Sequence, residues 1–522
     1  MNTFMFTPSC KSSLMVLAVT VGLLTGCSAT QEKGADKSRP VAVSQVDSQE
    51  IRVSNPRELT RAINRLRRGG TIIMEAGDYA DLNLSLAREY PAEKPLVIKA
   101  GKGGTVFITG NTSINISGEN ITLSGLVFER GTRSGGQAEL IYMGGEHNRI
   151  TQSHFNNVDD LAGVWVQMNG RYNRIDHSWF EGKTSGHSYI NMDIPENQPL
   201  YHRLDNNFFT RQPLGRNGGS ASRVGHGSMY LNNARITFEY NLFDDESGES
   251  EIISSKSSEN IFRYNTFKNS HGTLSLRQGE RALVYDNYFI GTGEDGHGGL
   301  FVRGEGHVVF NNYFHNLNPQ PRYKEEGAVS FGAATGNFDT QRSAKGLNGR
   351  HFPITRNILF ANNTIVEPGD FAIVIGAQYG TRDRTLIPDT LYMVNNQMTG
   401  ARRQSVLQLE GARDMVWQAN ISSNAVRGID SEGVDTVDLT LADSAFGLPL
   451  PTGQQPGLGG ADLSAYLQKL KLDMKWKENQ TIVERIRNQP ATAGFTVPLN
   501  PEGQPVYPLS KNDVGPSWMK QG

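Results

Sequence analysis

The chain has 522 residues, and its 51 Lys and Arg residues nearly balance its 53 Asp and Glu residues. Because no net positive charge is available to attract nucleic acid, a polyanionic ligand would have to meet a local patch of basic residues. Hydrophobic residues make up only 37% of the chain and Gly contributes 57 residues, which favours a β-rich fold with a large surface over a compact helical one.

The amino terminus is typical of a bacterial secretory signal. Lys11 supplies the positive charge before the run LMVLAVTVGLL, which is apolar but too short to span a bilayer. The run leads to LTGC at Cys27, a tetrapeptide that resembles the bacterial lipobox. Residues 1–26 are therefore expected to be a lipoprotein signal peptide, with lipid attached at Cys27. The alternative is an ordinary secretory signal followed by a chance cysteine.

Residues 27–48 are polar and small and show no periodicity, so we expect a flexible tether between the lipid and the folded body. Ser28 after the lipidated cysteine resembles the signal for retention in the outer membrane. The expected location is the bacterial cell envelope, as an outer-membrane lipoprotein facing the periplasm or the exterior. Since Cys10 is removed with the signal, the sequence predicts no disulfide bond.

The next segment predicts a short amphipathic helix that covers one end of a solenoid. Asn55 is placed as the N-cap and Pro56 at the first helical position, and Gly69 and Gly70 end the helix. The apolar residues between them recur at helical spacing, at Leu59, Ile63 and Leu66. A strand-like TIIMEAG follows at once, as expected for a capping helix that leads into stacked strands.

Residues 49–430 repeat a short pattern of Asn or Ser, any residue and an apolar residue. Its copies lie mostly 22 to 34 residues apart and end at Phe155, Phe180, Phe209, Phe243, Phe267, Phe289, Phe314, Ile365 and Met398. Each copy follows a β-like run such as NRITQSHF, so the period predicts one coil of a right-handed parallel β-helix. A β-propeller would need a longer period, and a leucine-rich repeat would need a Leu-based consensus.

The repeat residues themselves are expected to be scaffold. Stacked Phe side chains would fill the interior, and stacked Asn amides would bond to one another along the axis. The interval of 51 residues between Phe314 and Ile365 is expected to hold about two turns. An insertion at 318–353 is expected to wall one end of a surface groove.

Residues 431–522 are expected to form the carboxy-terminal cap of the same all-β domain. GADLSAYLQKLKLDM and TIVERIRNQ predict short helices, and a Pro-rich end follows them. Packing of this segment against the last coils would protect exposed strand edges. A separate small domain is the alternative.

Four charged residues interrupt the strand-like stretch GESEIISSKSSENIFRYNTFKNSHGTLSLRQG. Residues two apart on a strand face the same way, so Glu249 and Glu251 are expected to present their carboxylates together, roughly 6 to 7 Å apart. This spacing suits one hard cation, and the amide of Asn217, about one coil earlier, would complete an all-oxygen calcium site.

Lys256 and Arg277 are separated by about one short coil, so we expect them to stack as neighbours at roughly the 4.8 Å spacing of strands. Two adjacent cations repel each other unless an anion binds between them, and that anion would be the substrate. The alternative is a surface ladder of ion pairs, in which Glu249, Glu251, Lys256 and Arg277 only stabilise the solenoid.

The stretches ESEIISSKS and LSLRQG resemble the signature of polysaccharide lyase family 6, the family of alginate lyases and chondroitinase B. The resemblance extends to GGTIIMEAGDY, to NGG at Asn217 and to the closing DVGPSW. It implies a right-handed β-helix in which Lys256 is the Brønsted base and Arg277 the Brønsted acid. It also implies that Asn217, Glu249 and Glu251 bind Ca²⁺.

Two positions depart from the family pattern. Ser220 stands where members often have Glu after NGG, and Gln278 stands where they often have His after the catalytic Arg. The first departure bears on the calcium site and the second on the subsite beside the scissile bond. Arg223, His226 and Arg303, on neighbouring coils, are candidate substrate contacts together with Gln278. Each of the three also has a purely structural interpretation.

The sequence thus predicts an alginate lyase that cleaves the 1,4-glycosidic bond of a polyuronate by β-elimination. Ca²⁺ would neutralise the uronate carboxylate, and repulsion from Arg277 and from Ca²⁺ would lower the pKa of Lys256 so that it can act as a base. The alternatives are a chondroitin or dermatan sulfate lyase and a non-catalytic polysaccharide-binding β-helix. The expected partner is anionic alginate and not nucleic acid, with membrane contact through the lipid only and a monomer or homodimer as the assembly.

Overall fold

The structure is a computed structural model that describes residues 49–520, except 134–138, 157, 159–162, 320–325, 337–350, 411, 425, 430–431, 453–459 and 490–491. The predicted signal peptide, the lipidation site Cys27 and the tether lie outside the described residues. Ser48–Gly522 form one compact unit. The described residues contain no helix that is both long and apolar enough to cross a bilayer.

Three faces of parallel strands make up the body of the protein. The first sheet holds, among the described residues, β1 (Glu50–Val53), β2 (Gly70–Met74), β5 (Leu96–Ala100), β7 (Ile121–Ser124), β10 (Arg149–Thr151), β13 (Arg174–Asp176), β16 (Arg203–Asp205), β19 (Thr237–Glu239), β22 (Ile261–Arg263), β25 (Leu283–Tyr285), β28 (Val308–Phe310), β32 (Ile358–Ala361), β36 (Leu391–Val394) and β39 (Met415–Gln418).

The second sheet runs beside the first, and its strands are β3 (Gly77–Ala80), β6 (Val106–Ile116), β8 (Leu126–Arg133), β11 (His154–Asn156), β14 (Trp179–Glu181), β17 (Phe208–Arg211), β20 (Leu242–Glu246), β23 (Thr266–Lys268), β26 (Tyr288–Ile290), β29 (Tyr313–His315), β33 (Thr364–Val366), β37 (Gln397–Thr399), β40 (Asn420–Ser422) and β41 (Val434–Thr436). β6 continues into the third sheet and joins the two.

The third sheet carries the candidate site, and its further strands are β4 (Asn83–Leu86), β9 (Glu139–Met143), β12 (Val164–Met168), β15 (Ile190–Met192), β18 (Ser222–Val224), β21 (Glu251–Lys256), β24 (Thr273–Gln278), β27 (Leu300–Val302), β30 (Val329–Gly332), β34 (Phe371–Ala377) and β38 (Gln404–Gln408). Two antiparallel pairs stand apart, β31 (Ala334–Thr335) with β35 (Arg384–Leu386) and β42 (Thr440–Asp443) with β43 (Pro449–Thr452). Within the described parts of the chain, the α-helices are α1 (Pro56–Arg65), α2 (Ser464–Lys469) and α3 (Lys477–Arg487), with 3₁₀ turns at Gly227–Met229 and Ser517–Met519.

The chain visits the three sheets in turn, so the fold is the predicted parallel β-helix. One coil, for example, is β22, β23 and β24, and each of these strands pairs in parallel with its equivalent on the next coil. Since side chains alternate across a strand, one residue set fills the interior and the other faces outward.

The predicted aromatic stack fills the interior. Phe267 pairs in register with Phe289 and Phe289 with Phe314, and the stack continues through Ile365 to Met398. From Phe128 to Phe314, successive ring centroids lie 4.4 to 5.0 Å apart. This is offset or parallel stacking at the spacing of the coils, and it packs the core without large gaps.

The predicted asparagine ladder is also present. Each amide nitrogen donates to the amide oxygen of the equivalent residue one coil on, at 2.9 to 3.1 Å, through Asn207, Asn241, Asn265, Asn287, Asn312, Asn363, Asn396 and Asn420. The residue just before each ladder asparagine has a positive φ, between 53° and 58°. The ladder therefore sits in a tight left-handed corner between the first and second sheets, where it satisfies buried backbone groups.

The interval between Phe314 and Ile365 differs from the prediction of two turns. Phe314 pairs directly with Ile365, and the ladder passes directly from Asn312 to Asn363. The 51 residues that separate each pair therefore belong to a single coil with a long excursion. Sequence spacing alone cannot distinguish an extra coil from an inserted loop, because both add a similar number of residues.

The predicted capping helix begins where expected. The side chain of Asn55 accepts a hydrogen bond from the backbone nitrogen of Glu58 at 3.0 Å, and Pro56 occupies the first turn of α1. Glu58 in turn accepts from the backbone of Ser54 at 2.8 Å, which completes a reciprocal cap. Leu59 and Leu66 are buried against the first coil.

The carboxy-terminal segment contains the predicted helices and contacts the last coils, where Tyr466 bonds to Gln418. Most of it, however, extends along the flank of the β-helix. Ile482 and Ile486 of α3 join a hydrophobic cluster on the outer face of the first sheet, and Arg263 pairs with Glu478 at 3.0 Å. The outer face of that sheet is apolar at Ile261, Leu283 and Val308, so it requires this cover.

The Pro-rich end then returns along the second sheet towards the first coils. Val506 accepts a hydrogen bond from Tyr288 at 2.7 Å, and Trp518 donates to the carbonyl of Gln152 at 2.9 Å. The indole of Trp518 lies directly on Gly103 and Gly104, where any side chain would collide with it. The carboxy-terminal segment therefore ties early and late coils together.

We predict that Asn287→Ala destabilises the protein by about 2 to 3 kcal/mol, because it leaves the buried backbone nitrogen of Asn265 without its acceptor and removes the amide that donates to the carbonyl of Phe262. The matched control is Asn64→Ala, which changes an exposed residue of α1. Thermal unfolding followed by circular dichroism should show a clear fall in the midpoint for the first variant and almost none for the control. Equal midpoints would show that the ladder contributes little.

Candidate functional site

A cleft of about 1090 Å³ opens on the third sheet and its adjoining loops. Its lining includes Asn217, Glu249, Glu251, Arg277 and Arg303. Five of the residues singled out in the sequence therefore meet in one cavity. Its lining does not include Lys256, Arg223, His226 or Gln278. Lys256 ends β21 and Gln278 ends β24, whereas Arg223 is the middle residue of β18 and His226 follows that strand.

Glu249 and Glu251 do not share a strand face as predicted. Glu249 lies in the bend before β21, and Glu251 is the first residue of that strand. Ile252 forms a bulge, since Glu251 pairs with Thr273 and Ile253 with Leu274. The strand begins later than the alternation suggested, because the coil needs a corner at Gly248 before the third sheet starts.

The two carboxylates are nevertheless electrostatic neighbours. Burial and the negative charge of Glu251 raise the pKa of Glu249. Glu251 is buried as well, but the positive charges of Arg277 and Lys256 outweigh that burial and lower its pKa. Arg277 donates to Glu251 at 2.6 Å, and Ser254 donates to its other oxygen. Arg277 therefore balances the charge of Glu251 by a direct ion pair, whereas Glu249 makes its hydrogen bond to the backbone of Gly218.

Lys256 and Arg277 are not directly opposite each other as predicted. Ser255 pairs with Leu276 and Lys256 with Gln278, so Arg277 is the extra residue of a β-bulge. A bulge re-aims the side chain that it carries, and here it brings the guanidinium of Arg277 to Glu251. The site is built from a local irregularity that a constant coil period does not predict.

The amine of Lys256 loses its proton more readily than that of an ordinary lysine. Its pKa is lowered to about 8, chiefly by burial, with further lowering by Arg277 and Arg223 against the opposing effect of Glu251. The sequence predicted the direction of this pKa shift but assigned it to the charges of Arg277 and calcium. Desolvation is the larger cause, because a buried ammonium loses its hydration before any neighbour acts on it.

The predicted calcium ligands form a donor set that suits a hard cation. Glu249 and Glu251 contribute carboxylate oxygens, and Asn217 is exposed in the loop across the cleft. Gly218, with φ at +97°, brings its backbone nitrogen to within 2.9 Å of the Glu249 carboxylate. The raised pKa of Glu249 marks a place where a cation would be favourable. The described residues contain no group of three or more His, Cys, Asp or Glu side chains arranged for a metal.

Ser220 does not replace the family glutamate as a ligand. It is buried, and its hydroxyl bonds to that of Ser188 at 3.0 Å. Within the described chain, calcium at this site would therefore rely on two carboxylates, an amide and water.

The candidate substrate residues divide into two groups. Arg223 pairs in register with Ser254 on the floor of the site. His226 bonds to Asp193 at 2.8 Å, and the side chains of His226 and Asp193 are each over 40% exposed. Arg223 and His226 are thus both partly exposed.

Arg303 and Gln278 are mainly held by the protein. Arg303 donates to the carbonyl of Ala333 at 3.1 Å and to Gln378 at 2.7 Å, and burial lowers its pKa to about 9. Gln278 donates to the carbonyl of His351 at 2.6 Å. The sequence predicted the place of these two residues, and the structure adds their structural partners.

Arg211 is an important residue that sequence reasoning missed. Its buried guanidinium donates to the carbonyls of Lys183, Ser185, His187 and Gly219, at 2.6 to 3.0 Å. These bonds tie together two loops, one of which carries Asn217. Arg211 gave no sequence signal because an arginine in a repeat is normally exposed, and its burial depends on loops that fold over it.

Phe352 was missed as well. Its ring centroid lies 5.4 Å from the guanidinium carbon of Arg277, 4.3 Å from that of Arg303 and 4.7 Å from that of Arg384. Phe352 lies in the long coil between Phe314 and Ile365, outside the repeated pattern. No regular spacing in the sequence therefore related it to the site.

Comparison with protein families assigns the chain through most of its length. The model of chondroitinase B matches residues 53–445. The chain belongs to the chondroitinase B family. Membership confirms the resemblance to polysaccharide lyase family 6 and makes the protein one of a family of enzymes that act on polysaccharides. Comparison with curated protein sequences finds no match.

Solved structures of family 6 lyases share the fold. The alginate lyase AlyGC matches with 24% identity and a TM-score of 0.74, over 91% of this chain and 59% of its own. A mannuronic-acid-specific family 6 lyase from human gut microbiota matches with 22% identity and a TM-score of 0.62, over 74% and 90%. The family 6 lyase Pedsa3628 from Pseudopedobacter saltans matches with 20% identity and a TM-score of 0.62, over 90% and 99%. This chain thus spans less than two thirds of AlyGC.

Proposed function

We propose that the protein is an alginate lyase that cleaves the 1,4-glycosidic bond of a polyuronate by β-elimination. The observation that carries the proposal is Lys256, a buried lysine whose pKa is lowered to about 8, beside Arg277 and an acidic pair at a cleft. An ion-pair ladder that only stabilised a solenoid would have no need of a lysine that is easily deprotonated.

The elimination starts at C5 of the uronate, where a proton is removed next to the carboxylate. The neutral amine of Lys256 takes that proton, the C5–H electrons form the C4=C5 double bond, and the bond from C4 to the glycosidic oxygen breaks. Arg277 donates a hydrogen bond to the departing oxygen, whose proton comes from water because the guanidinium pKa is too high for ready donation. Lys256 then returns its own proton to the hydroxide that remains.

We further propose that Asn217, Glu249 and Glu251 hold a calcium ion that binds the uronate carboxylate. When bound, calcium supplies positive charge that offsets the carboxylate and makes the C5 proton more acidic. The contribution of the chain is to orient the donors. Gly218 fixes Glu249 through its backbone nitrogen, and Arg277 and Ser254 fix Glu251.

Alginate is favoured as the substrate by the net charge of the chain and by two similar structures. Chain charge is close to neutral, with 51 basic and 53 acidic residues, and so gives little general attraction for a heavily sulfated polymer. AlyGC is an alginate lyase, and the gut enzyme is specific for mannuronic acid. The second candidate is a chondroitin or dermatan sulfate lyase, favoured by the match to the chondroitinase B model.

Incubation with polymannuronate, polyguluronate and dermatan sulfate should separate these functions. We expect the ultraviolet absorbance of the unsaturated uronate to rise with one or both alginate blocks and not with dermatan sulfate. A rise with dermatan sulfate alone would select the second candidate. Binding of the polymers with no rise on any of them would identify a non-catalytic polysaccharide-binding protein.

Adding a chelator to the same assay tests whether the activity requires calcium. Thorough chelation should abolish the rise, and added Ca²⁺ should restore it while Mg²⁺ does not, since the carboxylate and amide donors suit the larger ion. Full activity after chelation would remove calcium from the proposal but leave the lyase function intact.

The activity should depend on the protonation of Lys256. Since a base must be neutral and the pKa of Lys256 is lowered to about 8, kcat/KM should increase as pH rises towards 8 and level off above it. Lys256→Ala and Lys256→Arg should each lose at least about 100-fold in kcat with little change in substrate binding. The control is Lys475→Ala, an exposed lysine outside the cleft, with unchanged rates. Retained turnover in Lys256→Ala would exclude it as the base.

We also propose that lipid on Cys27 anchors the protein in the bacterial outer membrane. Cys27→Ser should move the protein from the membrane fraction to the soluble fraction and abolish its labelling by a fatty-acid analogue in growing cells. Membrane association and labelling that persist in the variant would contradict the anchor at this residue.

A further inference from the structure

The outer face of the third sheet changes from open to covered along the axis of the β-helix. Residues in register across successive coils run from Tyr142 to Val374, and they are Tyr142, Gln167, Asn191, Arg223, Ser254, Ser275, Phe301, Ser330 and Val374. Before the site, Tyr142, Gln167 and Arg223 are partly exposed, and Asn191 between them is 8% exposed. After it, Phe301 is 5%, Ser330 1% and Val374 0% exposed.

The cover over the later coils is built around Phe352. This residue is 6% exposed, and its ring lies against the guanidinium groups of Arg277, Arg303 and Arg384. It follows directly on His351, whose carbonyl is bonded to Gln278, the residue opposite Lys256. Phe352 therefore lies at the edge of the reacting groups and at the start of the covered region.

The segment that carries Phe352 is held firmly at both sides. Its backbone nitrogen donates to the Thr335 hydroxyl at 2.8 Å, and its carbonyl accepts from the backbone nitrogen of Thr335 at 3.2 Å. Three residues further on, the Thr355 hydroxyl donates to the carbonyl of Gly332 at 2.7 Å. These hydrogen bonds hold the segment around Phe352 in place, so that it forms a wall of the cleft.

The wall also reaches across the strands. β31 and β35 pair in antiparallel fashion outside the coil, and Ala334 and Leu386 from them pack with Ile354 and Tyr230. Tyr230 belongs to the coil that precedes Lys256 in the chain, so this contact extends the wall beside the base as well as over the later coils. Beneath the wall, Arg303, Gln378 and Glu326 form a buried hydrogen-bonded chain.

We propose that Phe352 and its supporting pair, β31 and β35, close the cleft towards the later coils, so that a polymer enters over the earlier coils and is cut near one end. This inference rests on the proposed lyase function. The closed end is rich in arginine, which suits the carboxylate of a terminal uronate, whereas the open side offers the partly exposed neutral side chains of Tyr142 and Gln167 to the rest of the polymer.

The test is to follow viscosity and ultraviolet absorbance together during digestion of long alginate, with mass spectrometry of the earliest products. Cutting near an end should raise absorbance with little loss of viscosity, and the first products should be short oligosaccharides. A collapse of viscosity at low absorbance, with long early products, would overturn the inference and leave the lyase function standing. No absorbance rise on any polyuronate would overturn both.

Phe352→Ala tests the role of the wall itself. We expect a shift of the early products to longer oligosaccharides and a steeper loss of viscosity per bond cleaved. The matched control is Phe495→Ala, which removes a partly buried aromatic ring outside the cleft and should keep the wild-type product pattern. An unchanged pattern in a folded Phe352→Ala would exclude Phe352 as the closing residue. Should that variant not fold, the product pattern of the wild-type protein still decides the inference.

Discussion

The in-register hydrogen bonding of successive coils is the constraint on which the rest of the structure depends. Because Phe267 stacks on Phe289 and Asn265 bonds to Asn287, the strands of the third sheet are forced into alignment on the same coils. Residues more than twenty positions apart in the chain thereby become neighbours at the spacing of strands. A shift in the register of these strands would separate the carboxylates of Glu249 and Glu251 from Lys256 and Arg277.

The site arises where this regular stacking is interrupted. Bulges at Ile252 and at Arg277 fall on two adjacent strands and bracket the aligned pair of Ser254 and Ser275. The small serines leave space on the floor, and the bulges direct larger charged side chains over it. The ladder of asparagines and the stack of rings keep the neighbouring coils in register around these bulges. The two bulges are therefore confined to the third sheet, which carries the site.

Burial and charge act together on the groups that are proposed to react. Desolvation lowers the pKa of Lys256 and raises that of Glu249, so each group is pushed towards its neutral form. Arg277 compensates by pairing with Glu251, which keeps one carboxylate charged. The result is a cluster beside the cleft that brings a basic amine and an acidic pair together, an arrangement that is costly for stability and suits the proposed removal of a weakly acidic proton.

The sequence by itself determined the scaffold. The recurring Asn-x-Phe pattern predicted which side chains stack and which amides form the ladder, since stacking in a solenoid repeats one chemical requirement at every coil. The residue types around Glu249 and Lys256 also indicated a site, because paired carboxylates and lone cations rarely interrupt a strand. Only the tertiary structure decided the number of coils between Phe314 and Ile365, the bulge that carries Arg277, the burial of Arg211 and the place of Phe352. Each of these depends on a loop or a bulge whose conformation is set by contacts with distant residues, and such contacts leave no periodic trace in the chain.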